Sequence, residues 1–413
     1  MQPSIDYEDL ARQSAEFLSV PAKRANPQKL FRSLREHDPV HRSATGMWML
    51  MSYSACLAAF KDPRFSREAQ AAVEFEALGR SNADPVAARA LEASKGMVVN
   101  LEGSDHRRVR RLMMHAFTAR SVAAWEGQVR EIVNALFARV EQRDEFDFIA
   151  EIALPLPQAV MCQLVGVPLE DHKLWTGWAE RQVAFNRADP DGGVGANDAR
   201  TAMAEFYSYF QDLIVKRRSS PGDDLASVLI QAREEEDRLS EQELIGTLMM
   251  LAVAGFETTA NLIGNGMNAL LDSPEQYEKL RANPSLASSA VEEFLRYESP
   301  SRMVMPKRTT DAVLVDGVEI PAGNSVLIVL ASGNRDSAIF DEPDRLDIAR
   351  ANNPHLGLGT GPHVCLGAGF ARLEARMIFD ALARQPRILK RRDEETQWRE
   401  TFVRGLKHLW VKQ

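Results

Sequence analysis

The sequence predicts a mainly α fold: a large helical bundle with small β-sheets near the N-terminus and in the C-terminal third. Three observations predict it. From Ser104 to about Lys216 apolar residues recur at helical spacing, broken at Pro155, Pro157, Pro168 and the Asp189-Pro190-Asp191-Gly192-Gly193 turn. Ser240 and Glu243 form an S-x-x-E capping box at the head of a helical pattern running from about Glu241 to Leu271. β-like runs are short and occur only before about Met51 and after Pro300.

Taken in order, Asn26-Pro27 opens a short helix through Leu34, and Pro39 to Arg42 and Trp48 to Met51 read as two brief strands. A helix containing Ala55 to Phe60 follows. Arg67 to Gly103 shows weak periodicity interrupted by Gly79, Pro85 and Gly96, and reads as a long connection. At about 1.5 Å per residue the pattern from Glu241 is long enough to cross a whole domain, and Ser273-Pro274 starts the next helix. Val313 to Val315, Asp316-Gly317 and Val318 to Ile320 spell a hairpin, with a further strand at Val326 to Leu330. Asn334 to Thr360 is rich in Asn, Asp, Pro and Gly and reads as irregular coil, and a strong helix runs from about Leu366 to Ala383.

With 413 residues, 45% hydrophobic and 26% charged, the chain can bury a large core, and no repeat or obvious linker divides it. A single domain over 1–413 is expected, with a β-containing lobe at about 26–65, a helical core at about 104–300 and a cysteine loop at about 355–367. The net charge of -8 removes any global basic field for nucleic acid or an anionic membrane. Met1 to Ala11 lacks the charged and apolar regions of a signal peptide, and no window reaches about 18 uninterrupted apolar residues, so a cytosolic protein is expected.

Three cysteines cannot form a disulfide framework. Cys56 and Cys162 lie in apolar helical segments and read as core. Cys365 is different, because GLGTGPHVCLGAG surrounds it with glycines and a helix begins just after it. Backbone N–H groups and the positive end of a helix dipole there stabilise a thiolate, so Cys365 suits a metal ligand or a nucleophile. A nucleophile needs a base, for which His363 is too close in sequence, although a distant His could serve. Zinc needs three or four ligands, and His355, His363 and Cys365 make a thin local set.

The stretch from His355 to Ala368, HLGLGTGPHVCLGA, resembles the cysteine loop of bacterial soluble cytochrome P-450 enzymes, the haem-thiolate monooxygenases. The resemblance implies that Cys365 ligates the iron of haem b, that Leu358, Gly359 and His363 lie against the cofactor, and that Gly367 lets the helix approach the ring. Leu358 departs from the family's usual phenylalanine. In the central helix, Ala254-Gly255-Phe256-Glu257-Thr258-Thr259 matches the family's oxygen-binding motif. Gly255 costs about 1 kcal/mol in a helix interior and Thr258 can turn its hydroxyl onto the Ala254 carbonyl, which together loosen one turn. The resemblance gives Ala254 and Gly255 to the haem groove and Glu257 and Thr258 to proton relay.

Glu293-Phe294-Leu295-Arg296 is an E-x-x-R pair on one helix face, which in the family is a buried scaffold joined by an arginine from the coil; Arg345 matches that position. His106 and Arg110 are i,i+4 on a helix that Ser104 could cap, and in the family both face a haem propionate. A further propionate-binding arginine is expected where Pro306 falls, so Arg308 or Arg302 is its candidate replacement. Arg107, Arg108 and Arg111, with Arg372 and Arg376, form a candidate basic patch for an acidic electron donor.

These motifs occur in the family's order across about Asn26 to Trp410. The implied activity is insertion of one oxygen atom from O2 into a medium-sized hydrophobic substrate, with electrons from a separate ferredoxin and ferredoxin reductase. By the same analogy the pocket is lined by Met97 to Asn100, the Phe185 region, Met250, Val253, Ala254 and Arg302 to Val304, with Arg302 or Arg181 able to pair with a substrate carboxylate if not simply exposed. The rivals are a peroxide-driven haem enzyme and a non-catalytic haem sensor; the acid and alcohol at Glu257 and Thr258 argue against both.

Overall fold

The computed structural model describes residues 6–79, 85–171, 173–174, 177–178, 181, 194–231, 239–392, 396–401 and 403–413. The principal helices are α1 (Tyr7–Ser19), α2 (Pro85–Lys95), α3 (Gly103–Met114), α4 (Val194–Ser219), α5 (Glu241–Ala254), α6 (Glu257–Asp272), α7 (Ala287–Tyr297) and α8 (Ala368–Ala383). The chain forms two compact units, neither of them one continuous stretch: Met1–Ser66, Ala123–Leu156 and Thr258–Gln413 make the first, Arg67–Val122 and Pro157–Glu257 the second.

In the first unit a five-stranded sheet runs in the order β1 (Val40–Arg42), β2 (Trp48–Leu50), β8 (Ser325–Ile328), β5 (Lys307–Thr309), β3 (Phe65–Ser66). The β2–β8 pair is parallel and joins the two ends of the sequence, with Trp48 opposite Val326 and Leu50 opposite Ile328. One face packs on Phe60, Phe65, Val313 and Ile320, the other on Phe17, Phe31 and Leu34. Three further strands, β4 (Glu145–Asp147), β10 (Trp410–Lys412) and β9 (Lys390–Arg391), form a small sheet. The predicted hairpin is present as β6 (Val313–Val315) and β7 (Val318–Ile320), and its Asp316 and Gly317 take φ of 46° and 85°, as a two-residue primed turn requires.

The second unit is helical. Its core includes α2 packed on α4 and α5, which overturns the reading of Arg67 to Gly103 as a mere connection. That reading failed because Ala87, Ala90 and Ala93 carry the buried face of α2, and alanine gives almost no hydrophobic periodicity. A Cβ at Gly246 of α5 would collide with the Ala93 carbonyl oxygen, so glycine is what lets these helices meet backbone to backbone.

The capping box at the head of α5 is formed on both sides: Glu243 N–H donates to Ser240 Oγ at 3.2 Å and Ser240 N–H to Glu243 Oε2 at 2.8 Å. The helical pattern is interrupted at Gly255 and Phe256, where α5 ends and α6 begins. By length and composition Glu241–Asp272 could cross a membrane, but 61% of its most apolar window is buried inside the protein, as in a core helix.

Candidate functional site

Within the first unit, Cys365 stands at the head of α8, where the coil turns into helix. Its N–H donates to Leu358 O at 2.9 Å, closing a loop whose Gly359 and Gly361 take φ of 68° and 73°, values a side chain would strain. Leu358, Gly359 and His363 are half-buried in that loop, and Cys365 is exposed, whereas Cys56 and Cys162 are buried. Burial pushes the Cys162 thiol up to about 12, and the Cys56 thiol higher still, so neither is a thiolate. A Cβ at Gly367 would meet nothing within 4 Å, leaving open space beside the cysteine.

The loop is braced by α7. Glu293 and Arg296 are fully buried and pair through two hydrogen bonds, Arg296 Nε to Oε2 at 2.8 Å and Nη2 to Oε1 at 2.7 Å. Glu293 also accepts from Asp347 N–H, Arg350 Nε and Asn353 Nδ2, and Arg296 donates to the carbonyls of Asn334, Pro343 and Arg345. The third member of this scaffold is therefore Arg350. Arg345 contributes only its carbonyl, and its exposed side chain pairs with Glu342.

A second brace escaped sequence reasoning. Glu292 accepts from Arg372 at 2.7 and 2.9 Å and from His355 Nε2 at 2.9 Å, and His355 Nδ1 accepts the Gly357 N–H. Burial alone would raise the Glu292 pKa, but the hydrogen bonds from His355 and Arg372 hold it at about 2. His355 is thereby a prop for the loop. Asn334 Oδ1 completes the bracing by accepting the Leu356 N–H at 2.7 Å.

In the second unit, α3 begins at Gly103 with Glu102 at its N-cap, so Ser104 does not cap it. His106 is buried, and burial, then the Arg110 charge one turn on, lower its pKa and favour the neutral imidazole. Arg110 is half-buried. On α5, the partly accessible positions Met250, Val253 and Ala254, continued by Glu257, fall at i, i+3, i+4 and i+7 on a helix otherwise largely buried. A Cβ at Gly255 would run into Met161 Sδ. Thr258, half-buried, is the first described residue of the other unit at this junction.

Several expected roles do not hold. Arg302 is buried and donates to Thr401 O at 2.8 Å and to Arg24 O, so it is neither exposed nor available to a propionate or substrate carboxylate through those nitrogens. Arg181 pairs with Asp198 at 2.7 Å and Glu205 at 2.9 Å. The proposed basic patch is largely neutralised, since Arg108 pairs with Glu243, Arg372 with Glu292 and Arg376 with Glu126. Arg308 lies with its Nη2 3.7 Å from where a Gly323 Cβ would be, while neighbouring Lys307 is buried and donates to Phe65 O at 3.1 Å. The Phe185 region lies outside the described residues.

Among the described residues no group of three or more His, Cys, Asp or Glu side chains could hold a metal ion, which disposes of the zinc reading there. A single exposed thiol at a helix start, with open space over Gly367, suits an iron that brings its own equatorial ligands, as haem does.

Comparison with known proteins agrees. The cytochrome P450 family pattern matches residues 195–397. The chain is 38% identical over 393 residues to vitamin D(3) 25-hydroxylase of Pseudonocardia autotrophica, covering 94% of this chain and 93% of the relative. Its fold is similar to the crystal structure of P450BioI in complex with an acyl carrier protein ligated to hexadec-9Z-enoic acid, with a TM-score of 0.85 and 34% identity over 97% of this chain and 100% of that one. A Bacillus megaterium relative in complex with testosterone matches with a TM-score of 0.85 and 28% identity over 95% and 99% of the two chains. From the cysteine loop, its α7 scaffold and this similarity over nearly the whole length, the chain belongs to the cytochrome P450 monooxygenase family.

Proposed function

We propose that the protein inserts one atom of O2 into a medium-sized, largely hydrophobic molecule, taking electrons from a separate ferredoxin and its reductase. The observation that carries this reading is the exposed Cys365 at the start of α8, braced by two charged networks. Cys365 Sγ would ligate the haem iron, Gly367 would leave room for the ring, and Leu358, Gly359 and His363 would lie against the cofactor. His106 and Arg110 would hold a propionate, with Arg308 the candidate for another. Ala254 and Gly255 would line the haem groove, as the family's motif implies. Haem b, when bound, supplies the oxygen-activating redox chemistry.

The remaining work falls to the chain. Thr258 Oγ1 donates a hydrogen bond in the groove and Glu257 passes protons from solvent to it. Met250 and Val253 offer an apolar wall that favours substrates of the kind named for the relatives, steroid-like or acyl. Reduction with dithionite under carbon monoxide tests the ligation: a strongly red-shifted Soret band, lost in Cys365→Ser, is expected, and a globin-like band in folded protein would refute it. Thr258→Ala is expected to keep consuming oxygen while releasing peroxide and losing product; unchanged coupled turnover would remove Thr258 from the mechanism.

A further inference from the structure

Glu292 of α7 connects the coil before Cys365 with the helix after it. Its carboxylate accepts from Arg372 Nε at 2.7 Å and from Nη2 at 2.9 Å, oxygen for nitrogen in a bidentate pair. Arg372 lies in the second turn of α8, the helix that Cys365 precedes. The same carboxylate accepts from His355 Nε2 at 2.9 Å, and His355 Nδ1 accepts the Gly357 N–H at 3.2 Å. Because Nδ1 accepts, the imidazole carries its proton on Nε2 and brings no charge to the group. Gly357 lies so close to α7 that a Cβ there would fall 2.5 Å from Leu295 O, and the next residue, Leu358, accepts the Cys365 N–H at 2.9 Å.

Carboxylate and guanidinium cancel as a pair, and that balance bears on the cysteine. The hydrogen bonds to Glu292 first, against burial, then the negative charges of Glu292 and Cys365, hold the Arg372 pKa above its usual value, so guanidinium and thiolate act on one another. A positive charge near an iron-thiolate centre favours the state that holds one more electron, and a negative charge opposes it. Losing either member of the pair would leave a net charge of opposite sign at nearly the same place. The side chains of Arg372 and Glu292 are 44% and 32% exposed, so salt screens whatever field the pair leaves.

We propose that Glu292 is a positioning residue that sets the reduction potential of the haem iron: it balances the Arg372 charge that acts on Cys365 and, through His355, holds Gly357 of the same loop. The inference rests on Cys365 as the axial ligand. Midpoint potentials of the haem-loaded protein, read by spectroelectrochemical titration at low and high salt, test it. Glu292→Gln keeps an oxygen for His355 but frees the Arg372 charge, and is expected to move the midpoint to more positive potential. Arg372→Gln leaves the carboxylate and is expected to move it the other way. The double variant should return close to the wild-type value, and both single shifts should shrink at high salt. Arg372→Lys keeps the charge and should stay nearer the wild type than Arg372→Gln, which secures the test if the glutamine variant does not fold. Shifts of one sign, or none, in variants that keep the red-shifted carbon monoxide band would overturn the charge balance and leave the ligand assignment standing. A wild-type protein without that band would overturn both.

Discussion

The cysteine loop and the α2–α5 contact are both held rigidly, by opposite means. The loop rests on buried charge: Glu293 accepts five hydrogen bonds, all from side chains or N–H groups that the chain places with direction. The α2–α5 contact relies on glycine and alanine to bring two backbones together. The difference teaches which errors each tolerates. A charged scaffold fails when one partner is removed and another is left buried and unpaired; a close-packed one fails when a single carbon is added.

The largest expected effect is at the charged scaffold. Glu293→Ala strands Arg296 and should cost about 3–5 kcal/mol, read by chemical denaturation, with loss of haem retention in the same preparations. Arg350→Met should be clearly destabilising while Arg345→Met stays within about 0.5 kcal/mol, because the first meets a buried carboxylate and the second an exposed one. Equal effects would put the scaffold's third member back in doubt. Gly246→Ala should cost about 1–3 kcal/mol by thermal melting; a neutral result would mean that α2 can retreat from α5 without loss.

The remaining effects are in pH. Glu292 is held at about 2 against an ordinary value of 4.5, so its contribution is fully present above 4.5 and is lost as pH falls through 2. Glu374 is the converse: complete burial raises it to about 8, the folded protein prefers the neutral acid, and stability declines as pH rises from about 4.5 to 8. Glu374→Gln should flatten that decline, measured as melting temperature between pH 6 and 9, without moving the acid limb governed by Glu292.

Much of this was legible in the sequence because its signals are local. The capping box, the Asp316-Gly317 turn, the proline helix starts and the glycine-flanked Cys365 each declare themselves within a few residues. What could not be read is non-local. Nothing in the Pro343-Asp344-Arg345 run distinguishes Arg345 from Arg350 until the coil folds back on Glu293. Arg302 looks like any surface arginine in sequence, and His355 like a spare ligand. The buried face of α2 is invisible because alanine carries no period; its signal was Gly246, which gains meaning only with Ala93 beside it.

The division of the chain also sets a timetable for synthesis. Every residue of the second unit has been made once residue 257 has been added, whereas the first unit still lacks β5, β8 and the cysteine loop, and β2 waits for a parallel partner more than 270 residues downstream. At ordinary elongation rates the stretch between β2 and β8 takes roughly 14–55 s to make. During it the nascent chain presents an early hairpin, β1 with β2, whose β2 edge has no neighbour, and the cysteine loop is translated later still.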